Sequence, residues 1–403
     1  GVVFNEMKGA YSSPDAVLHK LSQQSLFPDT SYGVDSGGDP IEIPNLTYAA
    51  FKEFHARNYH PSNARIYFYG DDDPVERLRL LDERLGVFTK ATIDPNVPLQ
   101  PRFTMPVQVQ GTYPAGHGPE VGKSHVALNW MLDETADPEQ AIALRVLGQM
   151  LTGTPASPLR KALMDSGLGE EVISSIDFDF RQTTALYGLK GIDAANVDKV
   201  QVSILETLQH LSTNGFDKGT IEAALNTIEF RLRENNTGRF PRGLSLMLRA
   251  LTTWLYERDP LERIAFEAPL KRLQERVAAG ERVFEPIVQE WLVDNPHRST
   301  VIVRPDPEQD AREVAEERTR LQSARAALSQ GEVDQLVARS AELKRWQETP
   351  DTPEAIAKIP MLRRSDLPRQ NKSIPSEVSR IISVEVLRHD VFTNGILYLC
   401  LLY

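Results

Sequence analysis

The stretch 89–106 carries Pro95, Pro98, Pro101 and Pro106 and few apolar clusters. Proline fixes φ and has no N–H to donate, so a run this rich in it cannot lie inside a helix or the middle of a sheet. It reads as an extended linker, and a domain boundary is expected there. With 403 residues, 41% of them apolar, the chain has room for two or three globular domains around such a joint.

Before the linker, residues 2–8 and 15–26 have helical spacing, the second opened by Ser12-Ser13-Pro14. Residues 32–44 are rich in Gly, Asp and Pro, as a surface loop requires. Thr47 caps a further helix that carries Phe51 and Phe54 on one face and stops before Pro61. Residues 64–69 are dense in strand formers, and after the acidic turn at 70–74 helical spacing resumes over 75–85. Past the linker, strands are expected at 107–113, 125–132, 172–180 and 184–192, and helices at 138–151, 197–211 and 220–235. Blocks of strands alternating with blocks of helices give an α+β class. The segment 61–70, followed by acidic residues and a helix, is paralleled by 296–305 with the same sequel, as tandem related domains would produce. From 306 to 347 the chain is dense in Glu, Arg and Ala and breaks near Ser329, which reads as a helical hairpin. Residues 349–368 are again linker-like, and strands at 383–387 and 396–402 open a further unit.

A net charge of −11 argues against duplex nucleic acid as a partner, since that binding is held by a basic surface. The single cysteine, Cys400, cannot form an internal disulfide and fits a reducing compartment. No window approaches the roughly 20 apolar residues of a membrane span, so a soluble protein is expected. The first residue, Gly1, opens without a basic leader or signal core, which suggests that an upstream segment was removed or that the chain is a fragment.

The residues themselves name no reaction. The histidines are His19, His55, His60, His117, His125, His210, His297 and His389. A zinc-dependent hydrolase normally needs two histidines at helical spacing, and neither His-Glu-x-x-His nor its inverse occurs. His55 and His60 are five apart and fall on different helix faces. Cys400 lies in an apolar run that disfavours a thiolate, and there is no Gly-x-Ser-x-Gly elbow. Ser36-Gly37-Gly38-Asp39-Pro40 lacks the lysine of a phosphate loop. Asp71-Asp72-Asp73 could ligate a hard cation, but an acidic turn favouring the next helix dipole is the better reading. Tyr67 with Tyr69, and Phe178 with Phe180, alternate at strand spacing and read as sheet packing.

Several runs go further: residues 1–9 (Gly-Val-Val-Phe-Asn-Glu-Met-Lys-Gly), Tyr11-Ser-Ser-Pro14, Leu26-Phe-Pro-Asp29, residues 32–40 and Tyr59-His-Pro-Ser-Asn-Ala-Arg65. Together they closely resemble the organellar, presequence-degrading branch of the pitrilysin-type zinc metallopeptidases, the inverzincins. The hairpin resembles that branch's peptidase-associated region at Leu343-Lys344, Gln347-Glu348 and Pro350-Asp351. The resemblance implies tandem pitrilysin/LuxS-like metallohydrolase domains. Residues 1–88 would be the C-terminal part of a first domain, 89–106 a linker, and 107–305 a complete second domain. Residues 306–372 would be the associated hairpin and linker, and 373–403 the start of a third domain. It further implies zinc as cofactor, short unfolded peptides such as targeting presequences as partners, and a mitochondrial matrix or chloroplast stroma location. Glu6 matches the family's distal zinc ligand, whereas the inverted motif that brings two histidines and the general base is absent from these residues. No catalytic residue is therefore assigned, and this chain alone is expected to bind no zinc and to be inactive, because one carboxylate cannot replace three protein ligands. Spacing alone would make Glu6 an ordinary helix glutamate. The alternative is a non-catalytic pseudoenzyme or scaffold that holds peptides or joins another subunit.

Overall fold

The computed structural model describes residues 1–116, 121–134, 137–371 and 373–401. It divides into two compact units, Gly1–Gln309 and Asp310–Tyr403.

The first unit begins with four helices: α1 (Val2–Ala10), α2 (Pro14–Leu26), α3 (Tyr48–Asn58) and α4 (Pro74–Leu85). Capping follows the local sequence: Thr47 accepts from the Ala50 N–H at 3.2 Å to start α3, and Asp73 accepts from Val75 at 2.8 Å to start α4. Residues 64–69, expected as a strand, are extended but pair with no ladder. The segment instead touches the helix Arg242–Trp254: Arg65 Nε donates to the Trp254 carbonyl at 3.4 Å, and a Cβ on Gly243 would clash with the Tyr69 ring.

The linker 89–106 contains no helix or strand. Beyond it come β1 (Val107–Pro114), β2 (Ser124–Met131), α5 (Pro138–Thr152), α6 (Pro158–Asp165), β3 (Glu171–Asp177) and β4 (Thr184–Ile192). They are followed by α7 (Val197–Asn214), α8 (Lys218–Glu234), α9 (Arg242–Trp254), α10 (Glu267–Ala278), the short α11 (Phe284–Val288) with a π-helical turn after it, and β5 (Arg298–Asp306). The sheet order is β1-β5-β2-β4-β3, with β1 parallel to β5 and the other neighbours antiparallel. Every residue of the central strand β2 is buried, which requires cover on both faces.

One face carries the main core: Val126, Leu128 and Trp130 of β2 and Ile302 of β5 pack with Leu144, Leu147 and Leu151 of α5 and Val200, Ile204 and Leu208 of α7. The other face is covered by α2, whose Val17 and Leu18 meet Tyr113, Ala127, Val301 and Val303. Burial of such side chains is worth about 2 kcal/mol each. Two glycines permit close approach: a Cβ on Gly188 of β4 would clash with the Val126 carbonyl of the neighbouring strand β2, and one on Gly111 of β1 would clash with Leu21 of the covering helix α2.

The second unit holds the expected hairpin, α12 (Gln309–Ala326, whose first residue lies in the first unit) and α13 (Gln330–Glu348), then α14 (Pro353–Ile356) and the two-stranded antiparallel sheet of β6 (Ser376–Ile381) and β7 (Val384–His389). Ser329 and Glu332 form a capping box at the start of α13. The strand expected at 396–402 is not formed over 396–401, and Leu402 lies outside the described residues. About 49% of the chain is helical, and the fold is α+β, as the block pattern predicts.

Candidate functional site

Glu6 is the one site residue the sequence singles out. It sits in the middle of α1, exposed, and among the described residues its carboxylate has no hydrogen-bond or ion-pair partner. The helix is positioned by the loop that follows α2. Tyr11 donates to Asp35 Oδ2 at 2.7 Å, and Lys20 pairs with Asp39 at 2.8 Å while lying 4.0 Å from the Tyr11 ring centroid. Burial and the Asp35 contact push the Tyr11 phenol up. Burial opposes ionisation of Asp39, but the bond from Lys20, the bond from the Ile41 N–H and the Lys20 charge together outweigh it and hold the carboxyl below its usual range. The Ser36–Pro40 turn thus fastens a loop through Asp39. Spacing gave no sign of this clasp, because its members are far apart along the chain.

The histidines serve other ends. His297 is fully buried and stacks on Phe103 with centroids 3.7 Å apart. Its Nδ1 accepts from the Phe103 N–H at 3.0 Å, and its Nε2 faces the Leu26 carbonyl at 2.8 Å, so Nε2 carries the proton. Burial drops its pKa to about 4, and the neutral ring joins the end of α2, the linker and the approach to β5. His125 is also buried, stacks on Tyr113 and accepts from the Gly191 N–H at 3.3 Å; burial lowers its pKa. His55 stacks on Tyr59, and His60 caps the turn at Pro61–Asn63 through its Nδ1. His117 lies outside the described residues. Asp72 pairs with Arg77 and Asp73 caps α4, so the acidic turn serves the helix. Phe178 is buried in the main core, and Phe180 packs beside Phe27 and Tyr32, although β3 ends at Asp177.

Among the described residues no three His, Cys, Asp or Glu side chains gather where they could hold a metal ion. A lone exposed carboxylate does not fit catalytic zinc, which takes three protein ligands and keeps one open position. No hydrolytic step can be derived from Glu6 by itself. No helix among the described residues is long and apolar enough to cross a membrane.

Residues 45–228 match the family model described as the Peptidase M16 inactive domain, and residues 303–403 match the one described as associated with subfamily C of the same peptidase family. Presequence protease 1, chloroplastic/mitochondrial, of Arabidopsis thaliana is 48% identical over 99% of this chain and 38% of its own length. Protein HypA of Clostridium perfringens is 35% identical over 99% of the chain and 41% of its length, and the mitochondrial presequence protease of Xenopus tropicalis 30% identical over 99% and 39%. The chain therefore spans about two fifths of the length of these relatives. Among solved structures, a protease from Helicobacter pylori shares the fold with a TM-score of 0.56 at 17% identity, over 75% of this chain and 70% of that one. A putative M16-like peptidase from Alicyclobacillus acidocaldarius gives 0.54 at 17%, over 76% and 69%. With matches to an M16 inactive domain, to the region associated with its subfamily C and to presequence proteases along nearly its whole length, the chain belongs to the M16 peptidase family, in its presequence protease-like branch.

Proposed function

We propose that these residues are part of a zinc metalloendopeptidase that degrades presequences and other short unstructured peptides in the mitochondrial matrix or chloroplast stroma. Residues 1–88 would close a first peptidase domain, 107–305 form a second, 306–372 provide the associated hairpin and linker, and 373–403 open a third. In this reading Glu6 is one zinc ligand, and the two histidines and the general base come from polypeptide outside these 403 residues. The chain by itself hydrolyses nothing. The observation that carries the reading is the donor count: Glu6 stands exposed and alone within a sequence that aligns over 99% of its length with 38% of a presequence protease.

The test is zinc analysis and peptide hydrolysis by the purified chain, alone and mixed with a polypeptide that carries a His-x-x-Glu-His segment from a presequence protease. No activity alone and activity on mixing, lost again with Glu6→Gln, is the expected result. Stoichiometric zinc and hydrolysis by the chain alone, abolished by Glu6→Gln, would overturn the inactive reading. Inactivity under both conditions would favour a non-catalytic scaffold that holds peptides or another subunit.

A further inference from the structure

Between α5, α8, α9 and the edge strand β3 lies a cavity of about 380 Å³, none of whose lining residues comes from residues 1–88. Arg145, Arg231 and Arg249 line it, and no aspartate or glutamate does. Other arginines of this unit are neutralised at close range: Arg181 by Glu134, Arg233 by Glu229, and Arg276 by Glu139. The cavity arginines are not. Arg231 donates to the amide oxygen of Gln149 at 2.9 Å, Arg249 to that of Asn235 at 3.3 Å, and Arg145 lies 4.6 Å from the Phe178 ring centroid. Among the described residues none of the three forms a salt bridge. Burial, with the repulsion of Arg249 added, brings Arg145 down to about 10, and Asp179 is the carboxylate whose charge works the other way. The hydroxyl of Tyr187, a residue 1% exposed that lines the same cavity, has no hydrogen-bond partner.

Arg145 and Arg249, partly withdrawn from water without a counter-charge and beside an unused buried donor, are unfavourable unless an anion completes them, and the exposed Arg231 stands at the same cavity. Guanidinium groups present paired donors that match the geometry of carboxylate and phosphate oxygens, and the volume suits a small ligand or one end of a larger one. We propose that this cavity binds an oxyanion group, carboxylate or phosphate, held by Arg145, Arg231 and Arg249. The group has two sources: a free small polyanion or the C-terminal carboxylate of a peptide. The assignment does not depend on the proteolytic reading.

Isothermal titration of the full chain at constant ionic strength tests it, with pyrophosphate, citrate and one short peptide prepared both as the free acid and as the C-terminal amide. The expected result is saturable one-to-one binding of at least one oxyanion probe, weakened roughly tenfold by Arg249→Gln and by Arg231→Gln. Arg231 is exposed, so its variant keeps the test valid if Arg249→Gln fails to fold. Preference for the free acid over the amide identifies a peptide terminus as the source, and binding of pyrophosphate or citrate with no difference between the peptides identifies a free anion. No saturable binding with any probe, or binding that Arg231→Gln leaves unchanged, overturns the proposal.

Discussion

Helices α3 and α5 both carry apolar residues at helical spacing, yet their fates differ. α5 is buried along most of its length against the sheet, whereas α3 buries nothing and leaves Phe51 63% and Phe54 55% exposed. The contrast extends to the regions around them: from residue 28 to residue 99 no side chain is buried, while β2 is buried at every position. Periodicity specifies a face, but burial requires a partner surface, and only the region after the linker contains both halves of its own core. α2 marks the exception. It precedes the linker, yet its Val17 and Leu18 complete the second face of the sheet, and the linker is pinned by His297 and by Gln100, whose backbone N–H donates to the Gln182 side chain at 2.7 Å.

The largest expected effect lies in the packed region. Trp130→Ala removes a fully buried ring and the 2.8 Å bond from its Nε1 to the Leu292 carbonyl, and should lower unfolding stability by about 4 kcal/mol in urea titration. A loss below about 1 kcal/mol would mean that the sheet core tolerates a void of that size and that the contrast between the regions is overstated.

The joint between the regions should respond to pH. His297 has a folded pKa of about 4, below its unfolded value of roughly 6.5. The folded state thus binds this proton more weakly, so the stability it supports is complete above the unfolded pKa. It is lost progressively as pH falls from there through the folded value, up to about 3 kcal/mol. Urea midpoints should therefore fall more steeply between pH 6.5 and pH 4 in the wild type than in His297→Gln. Parallel curves would show that the ring is not the titrating joint.

The smallest effect belongs to the open region. Phe51→Ala should change stability by less than about 0.5 kcal/mol, because the ring already faces solvent. A loss above about 1 kcal/mol, or one that grows with protein concentration, would show that α3 is covered in solution and would erase the contrast.

Legibility follows the same division. The strands near 107, 125 and 184 and the helices near 138, 197 and 220 could be read because their apolar residues repeat at the period of the element that buries them. Helix α9 lies outside the expected elements although Leu244, Leu248 and Leu251 repeat at helical spacing: Leu244 and Leu248 stay exposed, and the residues it buries are Gly243, Ala250 and Thr253. The strand formers at 64–69 misled: the segment is extended but unpaired. Strand propensity there lacks a neighbouring ladder, and a β conformation is stabilised by cross-strand pairing. For the site, the sequence around Glu6 carried the family resemblance, while the clasp of Tyr11 with Asp35 and Lys20 with Asp39 was invisible.

What the sequence determined by itself is local: the caps at Thr47, Asp73 and Ser329, the extended linker at its prolines, the hairpin, and the family signature around Glu6. These depend on residues within a few positions of one another. The tertiary structure alone decided that α2 crosses the linker to cover the sheet, that His297 is a neutral joint, and that Arg145, Arg231 and Arg249 converge on one cavity. Each depends on which surfaces meet, a long-range outcome of burying apolar area that no short window of residues encodes.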